Sequence, residues 1–317
     1  MKASKEIKEI FKDTGSTYFF LLKIMIPISI IVKILEEFGA IDIIGKNLGP
    51  YMGIVGLPGE FGLVIATAMI TNIYGALVVF FTLSIQYTYN VAQVTILACM
   101  MLIAHTLPIE ARIAQKAGVR LWYTLSLRIF GAFIFGFILN LVFSYFHLFQ
   151  NKNILIWEPG YSNPTLFQWF IGQIGYYIMI FLIIFSLMIL MKILKVTGIL
   201  EKLNNFLKPG LKIFGMSKNA AILPLIGMTL GLAYGGGIIV KEAKTKLISK
   251  KDTFLSLSFL NLSHSLIEDT FLTLAIGASI FGILFGRVIF TIFVMLIIGK
   301  CIKSLSEKKF NNYLMNN

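Results

Sequence analysis

Residues 56–80 read GLPGEFGLVIATAMITNIYGALVVF. The stretch is apolar enough for a membrane core, yet it carries Glu60 and Asn72 and a glycine or alanine every few positions. A plain spanning helix has no need of helix-loosening residues or of an amide at lipid depth. Gly62, Ala66, Ala68, Gly75 and Ala76 instead suit a chain that turns and packs tightly within the membrane. Such bending is tolerable only where protein or a water-filled cavity surrounds the backbone. Residues 61–81 are therefore expected to enter and leave by one face, as a re-entrant hairpin.

The rest of the 317-residue chain fits that setting: 57% of it is hydrophobic and 14% charged, where soluble domains carry about a quarter charged residues. Windows 17–35, 121–146, 169–191 and 271–299 each meet the roughly 20 apolar residues a spanning helix needs. The net charge of +13 does not point to nucleic acid, because the lysines cluster in loops beside apolar spans, the pattern of cytoplasmic loops. The opening MKASKEIKEIFKDTG is charged and amphipathic with no small-x-small cleavage site after the first apolar run, so no removed signal peptide is expected. Cys99 and Cys301 have no CxxC spacing and read as core thiols rather than a disulfide or metal pair. No GxxxxGK[ST], HExxH or GxSxG is present, so neither nucleotide hydrolysis nor another enzyme activity is expected, and no cofactor or metal. The stripe Phe130, Phe133, Phe135 and Phe137 reads as a lipid-facing or core surface.

The chain also contains itself twice. His105 and His264 stand 159 residues apart, as do Arg128 and Arg287, Pro50 and Pro209, Gly39 and Gly198, Gly56 and Gly215, and Met69 and Met228. Histidine occurs three times in the chain and proline eight, so a constant offset among such rare residues marks a duplication. The expected division is a first copy over 1–150, a connecting loop over 151–168 and a second copy over 169–317.

The loops orient the copies. Residues 33–60 set Lys33 and Lys46 against Glu36, Glu37, Asp42 and Glu60; the counterpart 192–219 holds Lys192, Lys195, Lys202, Lys208, Lys212 and Lys218 against Glu201. Residues 82–92 are uncharged, whereas 241–251 hold Lys241, Lys244, Lys246, Lys250 and Lys251 with Glu242. Residues 107–120 carry Arg112, Lys116 and Arg120 against Glu110, and 266–279 carry Glu268 and Asp269 without a cation. Where one copy is basic the other is neutral or acidic. If basic loops face the cytoplasm, the copies are inverted relative to each other, as in secondary transporters. The expected fold is thus all-α and membrane-integral, an inverted repeat with about three spanning helices and one re-entrant hairpin per copy. The crossings fall at 17–33, 93–106 and 119–146, then 169–191, 253–267 and 271–299. The run Gly235, Gly236, Gly237 weakens a helix by roughly 1 kcal/mol per glycine relative to alanine, so an unwound stretch is expected there. The competing arrangement has eight crossings and parallel copies.

Ionisable groups inside apolar segments are functional candidates. His105 and His264 would lie near a pseudo-two-fold axis; each could equally hold a helix break. Glu268 follows His264 at i+4, on the same helical face, and Asn261 would extend that stripe, a pattern able to share a proton or cation. Asp269 reads as the charged end of a span, and its equivalent Glu110 as a salt-bridge partner of Arg112 or Lys116. Arg128 and Arg287 cost some 2.5–3.5 kcal/mol at bilayer depth unless partnered. They bind an anionic group of the substrate, or snorkel or cap carbonyls of the broken re-entrant segment. Asn72 and Thr71 offer uncharged hydrogen bonding to a polar solute or to a neighbouring helix, and Glu60 suits a helix N-terminus.

LGPYMGIVGLPGEFGLVIATAMITNIYGALVVF, HTLPIEA, and HSLIEDT with the arginine helix after it together resemble the nucleoside-recognition, or Gate-domain, membrane proteins. Similar domains occur in concentrative nucleoside transporters, in the membrane part of ferrous-iron transporter B proteins and in spore maturation proteins A and B. The resemblance implies a bacterial inner-membrane protein with a solute or ion path. The expectation is a secondary transporter of a small polar solute, nucleoside-like, coupled to H+ or Na+ through His264, Glu268 and His105. It would be held in the lipid bilayer with both termini cytoplasmic, with a homo-oligomer as an open option. The alternatives are a non-transporting scaffold that docks a partner through its basic loops, and an ion or metal permease.

Overall fold

Apolar runs of this composition must satisfy their own backbone hydrogen bonds, and helices do so. A computed structural model describes residues 2–155, 165–199, 202, 210–211, 213–217, 219–245 and 247–316. It holds helices, turns and two isolated β-bridges, Asn90–Lys152 and Val119–Met315. The first half contains α1 (Lys2–Glu37), α2 (Ala40–Ile54), α3 (Phe61–Ile70), α4 (Ile73–Gln86), α5 (Val91–Ala104), α6 (Leu107–Lys116) and α7 (Leu121–Tyr145). The second contains α8 (Leu166–Val196), α9 (Ile222–Ala243), α10 (Lys250–Ser263), α11 (Glu268–Leu274), α12 (Arg287–Ser304) and α13 (Glu307–Leu314), with a π-helical stretch, Phe281–Gly286, leading into α12.

Among the described residues five helical stretches are long and apolar enough to cross a membrane: Thr14–Glu37, Val91–Lys116, Leu121–Tyr145, Leu166–Leu194 and Phe281–Ser304. Their outward faces leave Phe19, Ile31, Phe130, Phe170, Ile178 and Ile289 exposed. So much apolar surface on one protein calls for lipid. Of the aromatic stripe, Phe130 and Phe137 face outward, while Phe135 is buried and stacks on Phe290 at 4.8 Å.

Several expected boundaries are corrected. The short crossing at 93–106 is the first part of a broken helix, α5 and α6, that spans Val91–Lys116 as one apolar path. The supposed loop at 107–120 is therefore mostly helix. The crossing expected at 253–267 lies on α10 and the turn after it, with α11 resuming at Glu268. Residues 33–60 are largely helical too, in α1 and α2, because Gly39, at φ +65°, turns the chain between them. Part of the counterpart at 192–219, including Lys208, Lys212 and Lys218, lies outside the described residues.

The triple glycine is helical. The backbone of α9 breaks four residues earlier, at Gly231 (φ +71°, ψ 171°), whose equivalent in the first copy is Asn72. There α3 ends, and Asn72, extended at φ −163°, caps α4 by accepting from Gly75 N at 2.8 Å. Gly236 serves packing: a Cβ on it would lie 2.6 Å from Ile113 of α6.

Other equivalent positions repeat the same local structure. Asn90 caps α5, accepting from Gln93 N at 2.8 Å, and Ser249 caps α10, accepting from Asp252 N at 3.1 Å. Thr106 (φ +51°) and Ser265 (φ +47°) both adopt the left-handed conformation where those helices break, which is uncommon for residues other than glycine. Thr106 N then donates to Ala68 O at 2.8 Å and Ser265 N to Gly227 O at 3.3 Å, docking each break on α3 or α9. The ends of the halves cross over reciprocally. Asn153 Nδ2 donates to Ile276 O at 2.9 Å, and Asn316 N donates to Gly118 O at 2.7 Å.

The loop that opens α3 is built on a close approach to α2. A Cβ on Gly59 would lie 1.8 Å from Gly45 O and 2.7 Å from its carbonyl carbon, both backbone atoms. Gly59→Ala is expected to cost more than the 1–3 kcal/mol usual for overpacking, lowering the heat-unfolding midpoint in detergent. Gly53→Ala, where nothing lies within 4 Å, should leave the midpoint unchanged or slightly raised; equal behaviour of the two would refute this account of the docking.

Candidate functional site

The two helix breaks meet. α5 ends at His105 and α10 at His264, both in extended backbone. A left-handed Thr106 or Ser265 follows each, so each imidazole turns inward. His105 Nδ1 lies 2.9 Å from Met101 O and His264 Nδ1 2.8 Å from Leu260 O. A carbonyl only accepts, so each Nδ1 carries the hydrogen and each Nε2 of the neutral ring presents a lone pair. Those two Nε2 atoms face each other at 3.2 Å, with ring centroids 4.8 Å apart.

Around them lies a ring of charge in equivalent pairs. Arg128, fully buried, donates Nε to Ile103 O at 2.7 Å and Nη2 to His105 O at 2.8 Å, and its Nη1 bonds Glu110 Oε2. Arg287, also fully buried, donates Nε to Leu262 O at 2.8 Å and Nη2 to His264 O at 2.9 Å and to Leu102 O at 3.1 Å. Each arginine thereby occupies carbonyls freed where a helix breaks (α5 or α10), not carbonyls of the segments at Asn72 and Gly231. Glu110 Oε2 lies 3.3 Å from His264 Nε2 and Glu110 Oε1 3.8 Å from His105 Nε2, while Asp269 Oδ2 lies 3.9 Å from His105 Nε2. The symmetry is incomplete. Glu110 bonds its arginine, but Asp269 Oδ2 and Arg287 Nη1, both buried, have no hydrogen-bond partner.

Several expectations change here. Glu110 pairs with Arg128 rather than with Arg112, whose Nη1 donates to Gln115 at 2.6 Å, or Lys116. His264 and Glu268 do not share a helical face, because α10 stops at Ser263 and the turn at 264–267 intervenes. Asn261 is fully buried within α10, and both its amide atoms lack a partner. Glu60 makes no cap bond and accepts instead from Tyr89 Oη at 3.4 Å. At the outer end of α4, Tyr87 donates to Asp42 at 2.8 Å, and that carboxylate pushes its phenol up to about 12.

The centre opens into a cavity of about 520 Å³ whose lining includes Thr71, Asn72, His105, Ser265, Glu268 and Asp269, with α1 closing one side. Thr71 Oγ1 donates to Thr67 O at 2.7 Å, and Tyr74 Oη to Glu268 Oε1 at 3.5 Å. Glu110 and Asp269 are the members that charge patterning had assigned to loops and span ends. The signal was present, since the two acids stand at the same offset as the two histidines.

Residues 18–120 match the family model described as Gate, nucleoside recognition. The chain is similar to YvoD of Bacillus subtilis (strain 168), described as an uncharacterized membrane protein, with 28% identity over 279 residues, or 86% of this chain and 87% of that protein. No solved structure matches. The chain is a membrane protein whose first half carries the Gate match.

Proposed function

We propose that the protein is a secondary transporter of a small polar, nucleoside-like solute in the bacterial inner membrane, with two inverted copies moving about a shared polar centre. The observation that carries this reading is the meeting of His105 and His264 at 3.2 Å beside a cavity lined from both halves. A second equivalent pair also meets: Tyr18 Oη donates to Tyr177 O at 2.9 Å, again across 159 residues. Contacts between equivalent residues of the two halves favour a pseudo-two-fold arrangement, and transporter sites lie at such repeat interfaces near the midplane. The proposal includes the division at 1–150, 151–168 and 169–317, a hairpin around each of Asn72 and Gly231, and both termini in the cytoplasm.

The uneven arginine–carboxylate pairs suit alternating access. Arg128–Glu110 is closed while Arg287–Asp269 is open, and rocking one copy against the other would exchange them. In this scheme Asn72 and Thr71 contact the solute, while His105, His264 and Glu268 couple its passage to H+ or Na+.

The test is uptake of radiolabelled nucleosides and other small polar solutes into proteoliposomes under imposed H+ or Na+ gradients. Gradient-dependent uptake by the native protein should fall roughly a hundredfold or more in His264→Ala, the low end of what a general acid–base group contributes. Uptake that ignored both gradients and the substitution would remove the coupling, and no uptake across the panel would remove the solute class.

A further inference from the structure

We infer that His105, His264 and Asp269 bind one borderline divalent transition-metal cation, such as Zn2+ or Co2+, at the floor of the cavity. The inference goes beyond the transport reading, does not depend on it, and departs from the expectation that the chain holds no metal.

It starts from the tautomers. Both Nδ1–H groups are committed to backbone carbonyls, so two imidazole lone pairs point at each other across 3.2 Å. Two lone pairs at that distance repel unless a cation lies between them. Metal-bound histidines carry the same signature, the second ring nitrogen donating to a carbonyl and fixing the ring. The spacing also fits. Zinc–nitrogen bonds of 2.0–2.1 Å in tetrahedral geometry set two nitrogens about 3.4 Å apart.

Asp269 supplies the third donor. Its Oδ2 is buried without a hydrogen-bond partner, a costly state for a carboxylate, and it lies 3.9 Å from His105 Nε2. One donor atom from each of the three residues falls within 4.8 Å of the others. Glu110 stands 3.3 Å from His264 Nε2 but is held by Arg128, so the fourth position faces the cavity that His105 and Asp269 also line. Two imidazoles with one carboxylate suit zinc, iron, cobalt or nickel better than magnesium or calcium.

The test uses the full chain, purified in detergent with Cys301→Ser to remove its exposed thiol, stripped with chelator and dialysed against Co2+ or Zn2+ alone. One bound ion per chain by mass spectrometry, with the intense visible band of four-coordinate Co2+, is the expected result. Affinity should fall roughly tenfold or more in His264→Gln and in Asp269→Asn, with elution volume confirming that each variant is folded. Absence of bound ion and band in the otherwise native chain overturns the site and leaves a shared proton between the imidazoles. Binding unchanged in folded Asp269→Asn and His264→Gln would equally overturn it. Neither outcome bears on solute uptake, which is measured separately.

Discussion

Arg128→Met should be among the most damaging single substitutions in this chain, lowering stability by about 3–5 kcal/mol, the range for breaking a buried ion pair from one side. The guanidinium is fully buried, and Glu110, its carboxylate partner, is 2% exposed. Removing the arginine leaves that carboxylate as an uncompensated charge. It also strips donors from the carbonyls of Ile103 and His105, where the helix break makes them available. In a heat-unfolding measurement in detergent the loss should read as a midpoint lowered by on the order of 10 °C. Arg287→Met should be milder. Arg287 holds three carbonyls, its Nη1 has no hydrogen-bond partner, and no carboxylate loses a hydrogen bond with it. Arg128→Met with Glu110→Gln should recover part of the deficit, because deleting both partners leaves no buried charge behind. Arg128→Met no worse than Arg287→Met, or a double variant as unstable as the single, would show that the pair does not hold the break.

How far the residues disclose this arrangement depends on what kind of constraint each carries. The meeting of the two halves was legible because His105, His264, Arg128 and Arg287 are rare types that recur at one offset and whose local contacts repeat. The helix breaks were not. They are made by Thr106 and Ser265 in the left-handed conformation, residues that local propensity does not mark as breakers. The glycines that propensity does mark pointed elsewhere: Gly236 makes room for Ile113, while Gly231 alone turns the chain. Charge patterning misplaced Glu110 for a related reason. It weighed cations a turn or two away along the chain, whereas the true partner lies eighteen residues on, reached only once α6 packs against α7. His264 and Glu268 at i+4 misled because the rule assumes a continuous helix, and the break falls between them. Each error has one source: breaking a helix converts backbone carbonyls into ligands for side chains that sequence distance keeps apart.

Orientation is the remaining step, and it carries the second large expected effect. In the proposed duplication a pseudo-two-fold axis relates the two copies, and it can lie in either of two ways. In the membrane plane it makes them inverted; along the membrane normal it makes them parallel. An odd number of crossings per copy puts equivalent loops on opposite sides of the membrane and an even number puts them on the same side, so the sidedness of those loops tells the two apart. The charges are strongly biased: Lys241, Lys244, Lys250 and Lys251 lie in and beside the turn between α9 and α10, and the equivalent turn after α4 has no charge. Lysine beside a span favours the cytoplasmic side. Thr88 and Leu247 are equivalent positions on these loops, and both are exposed. In a Cys301→Ser background, with Cys99 buried, Thr88→Cys should react with a membrane-impermeant maleimide on intact cells. Leu247→Cys should stay unlabelled until the membrane is opened. The expected contrast is near-complete against near-zero labelling, because a loop lies on one side or the other. Labelling of both from outside, or protection of both, would make the copies parallel, move the axis to the membrane normal and withdraw the rocking exchange of the two arginine–carboxylate pairs.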